Sequence, residues 1–338
     1  MNILKTSYAG LELSSPIIAA SSPLSSTIGG IINLEQSGVG AIVLKSLFEE
    51  QIHREVAHLE GYKDYPETTD YLNSYLGSHR LDNYLQLIHQ AKQECDIPII
   101  ASINCISGGD WDEFARKVEQ VGADALELNI FINNTDKQTS PEIIERSYLD
   151  VVWRVCAQVE IPVVVKLARQ FTNLTYMINN IEHCGAKGVV LFNRLSRADI
   201  DIWNLETKEA DLWSNSSELV GSLRPIAMAS AAVPRIDIAA SGGVHSGGDT
   251  IKAILAGASA VQVCSAIYQH GLGHVEQINC DVYNWLTETG VGSIEDIVGM
   301  LNYDNIKNPH DYERVQFIKY FAQEQDLHEY APMELFDS

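Results

Sequence analysis

IAASGGVHSGGDTIKAILAGASAVQVCSAIY, residues Ile238–Tyr268, reads as strand, glycine-rich turn, helix, strand and small-residue turn. Ile238, Ala239 and Ala240 run apolar into Ser241-Gly242-Gly243. Adjacent glycines at a strand end let backbone N–H groups approach an anion closely, because no Cβ intervenes. Asp249 stands where a helix N-cap is expected, ahead of the periodic Ile251, Ile254 and Leu255, and Gly257 ends that helix. Ala260–Val263 form the next strand, and Cys264-Ser265-Ala266 give a second small turn. Two consecutive strands that end in small residues match a barrel's phosphate site, built after strands seven and eight. Tight turns alone also account for these glycines, and the local sequence leaves both readings open.

Working outward, the same unit recurs. Ser15–Ser22, Gly40–Ser46, Ile97–Asn104, Ala125–Phe131, Pro162–Ala168 and Gly188–Asn193 are short apolar strands. Helices are expected at Ile28–Ser37, Leu81–Gln93, from the Asp110/Glu113 capping box to Val121, at Pro141–Val159, at Thr175–His183 and at Pro225–Val233. Runs such as Gly122-Ala123-Asp124-Ala125 and Gly185-Ala186-Lys187-Gly188 repeat a helix end followed by a parallel strand. Eight such units favour an α/β fold of the (β/α)8 TIM barrel type, a single domain over residues 1–338. An open doubly wound sheet would carry its glycines after the first strand. Met1–Leu13 reads as a hairpin over the barrel floor. Phe48–Arg80 and Arg194–Leu223 read as polar loop insertions, and Val275–Gln323 as closing helices before a polar tail to Ser338.

A net charge of −22 argues against nucleic acid or an anionic membrane as partner. The six cysteines show no CxxC spacing and read as reduced, mainly buried thiols. No apolar run approaches spanning length, and the N-terminus lacks a basic-then-apolar leader. A cytoplasmic location is the expectation, and no metal site is expected.

Functional groups of a barrel sit at the C-terminal ends of its strands. Here those ends carry Ala20-Ser21-Ser22, Lys45-Ser46, Ser102 and Asn104, Asn129, Lys166, Asn193, Ser241-Gly242-Gly243 and Cys264-Ser265. A lysine inside a buried apolar strand costs several kcal/mol unless it is paired or used. Lys166 is therefore either a functional cation or one half of an ion pair with a carboxylate such as Glu127. Lys45 admits the same two readings. One asparagine at a strand end caps a loop, whereas three together suit a polar planar ligand, whose donors and acceptors amides can match.

Taken in order, AASS at Ala19–Ser22, LKS at Leu44–Ser46, ELN at Glu127–Asn129, VKL at Val165–Leu167, GSLRPIAM at Gly221–Met228, ASGGVHSGGD at Ala240–Asp249 and VQVCSAIY at Val261–Tyr268 resemble the dihydroorotate dehydrogenase family of FMN-dependent barrels. The likeness is strongest to its soluble class 1 branch and covers nearly the whole chain. It implies an oxidoreductase acting on CH–CH groups, turning dihydroorotate into orotate in pyrimidine biosynthesis. It also implies that Ser241-Gly242-Gly243 and Cys264-Ser265 hold the FMN phosphate and that Ala20 and Ser21 contact the flavin. Lys45 would lie near the isoalloxazine and the substrate, with Ser46 and Asn104 also on the cofactor side. Asn129 and Lys166 would hydrogen-bond the flavin, and Asn193 would face the substrate. Lys45, Asn129 and Asn193 are the catalytic candidates. A small planar polar substrate, a soluble electron acceptor and a homodimer are the implied partners.

One departure stands out. The family's Asn-x-Ser-Cys-Pro-Asn, whose cysteine removes a substrate proton, is here Asn129-Ile130-Phe131-Ile132-Asn133-Asn134. Ile132 at the base position cannot accept a proton, and Cys105 and Cys264 lie on other strands. Ser107, Thr135, His53, His58 and His79 come from loops that could reach in, though each also reads as an ordinary surface polar group. Asn73 is the candidate for a further substrate asparagine. Two other readings of the chain are a Schiff-base lyase or aldolase using Lys166 on a phosphate-binding barrel, and a flavin-binding relative without turnover.

Overall fold

The computed structural model describes residues 3–48, 66–105, 111–132, 136–194 and 198–313, and only the backbone course of 66–79, 105, 310 and 311. The chain opens with an antiparallel hairpin, β1 (Thr6–Tyr8) and β2 (Leu11–Leu13). Then follow β3 (Ile17–Ala19), α1 (Ile28–Gln36), β4 (Ala41–Val43), β5 (Leu47–Phe48), α2 (Pro66–Glu94), β6 (Ile99–Cys105), α3 (Trp111–Gln120), β7 (Ala125–Ile130) and α4 (Pro141–Cys156). The second half holds β8 (Val163–Leu167), α5 (Leu174–His183), β9 (Gly188–Leu191), the hairpin β10 (Ala198–Asp201) and β11 (Glu206–Glu209), α6 (Ser217–Ala232), β12 (Asp237–Ser241), α7 (Gly247–Ala256), β13 (Ala260–Val263), α8 (Ser265–His270) and α9 (Gly273–Thr289).

Eight of these strands pair in parallel in the order β4, β3, β13, β12, β9, β8, β7, β6, and β6 pairs back to β4, closing a (β/α)8 barrel. The expected barrel is therefore the observed fold. Its strands are buried on both faces, which is why they read as unbroken apolar runs. The second barrel strand is interrupted. β4 pairs with β6 at Ile42 and Val43, and β5 resumes the pairing at Leu47 and Phe48. Lys45 and Ser46 sit in the break.

Inside the barrel two storeys are stacked. The lower is apolar, with Ile18, Val43, Ile100, Val164, Val190 and Ala239 packed together. The N-terminal hairpin closes it from beneath with Tyr8 and Leu13, both fully buried, as the floor reading expected. Gly188 makes room for that plug, because a Cβ there would meet the Tyr8 ring at 3.2 Å. The upper storey is polar: Ser102, Glu127, Lys166, Ser241 and Gln262 are all buried.

Several boundaries differ from the sequence reading. The N-cap of α7 is Ser246, whose hydroxyl accepts from the Asp249 N–H, so Asp249 is in the first turn and is not the cap. α2 begins at Pro66, well inside the stretch read as polar insertion, because proline suits a first helical turn. α6 starts at Ser217 and carries Pro225 inside it, where the sequence reading began the helix at that proline. The rest of the second insertion is not featureless: it folds into the β10–β11 hairpin. Of the closing helices expected over Val275–Gln323, α9 is present; beyond it the described residues to 313 make short 3-10 turns at Glu295–Ile297 and Pro309–Tyr312, and the rest of that expectation lies outside the described residues. Asp110 of the expected capping box lies outside the described residues.

Candidate active site

A cavity of about 560 Å³ opens at the C-terminal ends of β3, β8, β9, β12 and β13. Nine of the residues singled out from sequence line it. Ala20 and Ser21 follow β3, Lys166 is in β8 and Asn193 follows β9; Ser241, Gly242 and Gly243 end β12, and Cys264 and Ser265 follow β13. The small residues have a steric reason. Gly242 and Gly243 both hold left-handed φ, +87° and +78°. A Cβ on Gly243 would meet the Leu219 backbone nitrogen at 2.3 Å, whereas a Cβ on Gly242 would meet nothing within 4 Å. One glycine lets the turn close against α6, and the other leaves space in the cavity. Consecutive peptides in such a turn form the kind of concavity that holds anions.

The cavity's deep end is polar. Lys166 Nζ donates to Gln262 Oε1 at 2.6 Å, and Gln262 Nε2 donates to Glu127 Oε2 at 2.5 Å. Lys166 Nζ also lies 3.8 Å from Glu127 Oε1, which has no hydrogen-bond partner among the described residues. Of the two sequence readings of Lys166, the ion pair with Glu127 is present, and the ammonium lines the cavity as well. Burial pushes the Cys264 thiol up, opposed by the Lys166 charge and a hydrogen bond with Ser22. A thiol held protonated is a weak nucleophile.

The other candidates form a second group. Asn193 Nδ2 donates to Asn129 Oδ1 at 2.7 Å, so Asn129 is tied to the cavity through its neighbour. Asn104 lies beside Asn129 in register across β6 and β7. Ser46 is buried and joins Ser21 to Ser102: its hydroxyl is 3.0 Å from Ser21 Oγ and 2.7 Å from Ser102 Oγ. Lys45 is half-buried in the strand break and makes no hydrogen bond or ion pair with a described residue. Ile132 stands apart. It donates its backbone N–H to the Tyr148 hydroxyl at 3.0 Å and lines a separate cavity of about 230 Å³ with Tyr148, Ala168 and Phe171. His53, His58, Ser107, Asn133, Asn134 and Thr135 lie outside the described residues, as do the side chains of Asn73, His79 and Cys105.

Several lining residues escaped the sequence reading, Trp213, Tyr268, Arg194 and Gln262 among them. Trp213 and Tyr268 stack with centroids 4.7 Å apart and form one wall. Arg194 lies at the rim, its guanidinium bound to Glu218 and to the carbonyls of Asp211, Leu212 and Trp213. It thereby folds the segment after the β10–β11 hairpin over the cavity. Gln262 had a readable signal: it is the one polar residue of the strand Ala260–Val263.

The model of the family described as dihydroorotate dehydrogenase matches residues 3–286. The chain is 26% identical over 314 residues to the catalytic subunit of dihydroorotate dehydrogenase B (NAD(+)) from Thermoplasma volcanium, covering 89% of this chain and 99% of that one. The subunit of the same name from Methanocaldococcus jannaschii is 29% identical over 314 residues, covering 88% and 98%. That from Methanosarcina mazei is 30% identical over 316 residues, covering 88% and 95%. The matched span runs from the floor hairpin through all eight barrel strands and most of α9, and the chain belongs to the dihydroorotate dehydrogenase family.

Proposed function

We propose that the protein is an FMN-dependent oxidoreductase that exchanges hydride with a small, planar, polar substrate, dihydroorotate or a ring of similar donor and acceptor pattern. The observation that carries this reading is the cavity itself. A glycine turn that a Cβ would obstruct lies on one side, and a buried ammonium lies at the deep end. Those features suit a flavin mononucleotide. Ser241-Gly242-Gly243 and Cys264-Ser265 would hold the phosphate, with Ala20 and Ser21 beside the ring system. Lys166, Asn129, Asn193, Asn104, Lys45 and Ser46 would supply the polar contacts.

The bound flavin would accept or release the hydride; the chain's own groups do the rest. Lys166 places a positive charge where negative charge would develop on the cofactor. The Asn129–Asn193 pair presents amide donors and acceptors to a planar ring. Lys45, without a described partner, would offer a second cation from the break between β4 and β5. The Trp213–Tyr268 stack excludes water from one side. Among the described residues around the cavity no carboxylate, imidazole or low-pKa thiol stands free to take a substrate proton, and Ile132 faces elsewhere. That combination favours a substrate other than dihydroorotate, or slow turnover of it.

Electrons would leave to a soluble acceptor. The relatives named as catalytic subunits support a separate protein in that role, and the expected homodimer belongs to the same proposal. Among the described residues no helix is long and apolar enough to cross a membrane. The lyase reading is not favoured: a Schiff-base lysine must act as a neutral amine, and Lys166 is bonded to Gln262 beside a carboxylate. The test is the visible spectrum of the purified protein, followed by anaerobic dihydroorotate. A flavin band is expected, and slow bleaching with it. A colourless protein that takes up no added FMN would refute the reading.

A further inference from the structure

Glu127 is 1% exposed, Gln262 2% and Lys166 7%. Lys166 and Gln262 line the cavity and Glu127 does not. From the cavity, the carboxylate is one residue behind the surface a ligand would touch. It nevertheless dictates what that surface presents. A glutamine amide has two different ends. With its Nε2 on the carboxylate and its Oε1 on the ammonium, both ends meet the charge they suit. The reversed amide would set oxygen against carboxylate and N–H against ammonium. Gln262 is thus held in one orientation by two opposite charges, and it holds Lys166 Nζ 3.8 Å from Glu127 Oε1, just outside hydrogen-bond reach.

That oxygen is a buried acceptor with no partner among the described residues. An ammonium has three donors, and it could satisfy the orphan by a small swing away from the cavity. Arg194 does not compete for the carboxylate, since its donors go to Glu218 and to main-chain carbonyls.

We propose that Glu127 is a positioning residue and internal counter-ion: it offsets the Lys166 charge from beneath, while Gln262 keeps the ammonium turned to the cavity instead of collapsed onto the carboxylate. This rests on the flavin reading above and goes beyond it, since it makes the charge felt by the ligand a difference between two residues. Anything that accumulates negative charge in the cavity competes with Glu127 for the same ammonium.

The probe is sulfite, whose flavin adduct leaves negative charge on the ring system. Glu127→Gln removes the counter-ion, so the adduct is expected to form about tenfold more tightly, as one uncompensated neighbouring charge implies. Gln262→Met cuts the spacer and lets Lys166 close on Glu127, so the adduct should weaken by about threefold or more. Lys166→Met should also weaken it. Opposite signs for Glu127→Gln and Gln262→Met are not produced by a general loss of packing. If one variant does not fold, the other still decides. Shifts within twofold, or Glu127→Gln moving in the direction of Lys166→Met, overturn the proposal.

A cofactor-free measurement separates this from the flavin reading. In apoprotein at one fixed pH, the share of Lys166 labelled by a small amine-acylating reagent should fall to a small part of the wild-type share in Gln262→Met, because the side chain then closes on Glu127 and withdraws from the cavity the reagent enters. Lowered labelling of Gln262→Met in a protein that never takes up FMN would keep the spacer and counter-ion and discard the flavin. Bound FMN with unchanged sulfite affinity and unchanged labelling would do the reverse.

Discussion

Asn193 Nδ2 donates to Asn129 Oδ1 at 2.7 Å, bridging the ends of β9 and β7 across the intervening β8. Each amide fixes the orientation of the other, so the pair is one recognition unit. Asn129→Ala and Asn193→Ala should each lower kcat/KM with the substrate that reduces the flavin. The double variant should lose less than the product of the two losses, by a coupling of about 0.5–3 kcal/mol, the range for residues in contact. Losses that simply multiply would show two independent contacts.

The two glycines of the β12 turn should separate stability from binding. Gly243→Ala places a Cβ 2.3 Å from the Leu219 nitrogen, so α6 must shift. Gly242→Ala meets no atom and bears only the backbone cost of its left-handed φ, about 1–2 kcal/mol. Thermal melts of the FMN-free protein should fall further for Gly243→Ala. Gly242→Ala should weaken FMN, read by fluorescence quenching, more than its small melting change predicts, because the added methyl enters the cavity.

Ile132→Cys puts a thiol at the position where the resemblance would place a base, and the geometry says it falls short. A placed general base is worth roughly 10²–10⁴ in rate. The residue 132 side chain shares its cavity with Tyr148 and Phe171, and its backbone N–H is held by the Tyr148 hydroxyl. Dihydroorotate turnover should therefore rise less than about tenfold, well under that range. A gain of several hundredfold would show that the loop brings residue 132 to the substrate.

His245 supplies a pH dependence. Burial lowers its pKa below the usual 6.5; Asp249 and Glu218 oppose that shift, and His270 and His274 add to it. Its Nε2 is 2.9 Å from Ser214 Oγ. Since the folded state holds the neutral ring, unfolding takes up a proton below pH 6.5. The histidine's contribution is whole above that value and is lost as pH falls through the lowered folded pKa. Melting temperature should drop between about pH 7 and pH 5 in the wild type, and His245→Gln should flatten that part of the slope. Parallel slopes for the two proteins would contradict it.

The barrel was legible because each of its strands is a short apolar run, and the last two end in small residues, Ser241-Gly242-Gly243 and Cys264-Ser265. Nine of the chosen residues meet in one cavity for the same reason: strand ends in a parallel barrel converge. What escaped depended on contacts remote in sequence. The cap of α7 went to Ser246 because its hydroxyl, not the Asp249 carboxylate, reaches the first-turn N–H. Trp213 joins the site only because Arg194, far across a polar stretch, gathers the carbonyls of residues 211–213. The β10–β11 hairpin was hidden by its short, charged, exposed strands: Ala198–Asp201 alternates for too few residues to stand out, and Glu206–Glu209 carries no apolar residue. At Ile132 the sequence shows a side chain unable to accept a proton, but only the structure shows that it packs with Tyr148 and Phe171.

The stacked storeys of the barrel interior separate two selective pressures. The lower one, from Ile18 to Ala239 with Tyr8 as its stopper, carries packing energy and lies away from the candidate cavity. The upper one, Glu127, Lys166 and Gln262, carries charge and little apolar area. A lineage can exchange residues in the upper storey and change what the mouth accepts while the lower storey keeps the chain folded. The interior is thus built to let chemistry drift without dissolving the scaffold that holds it.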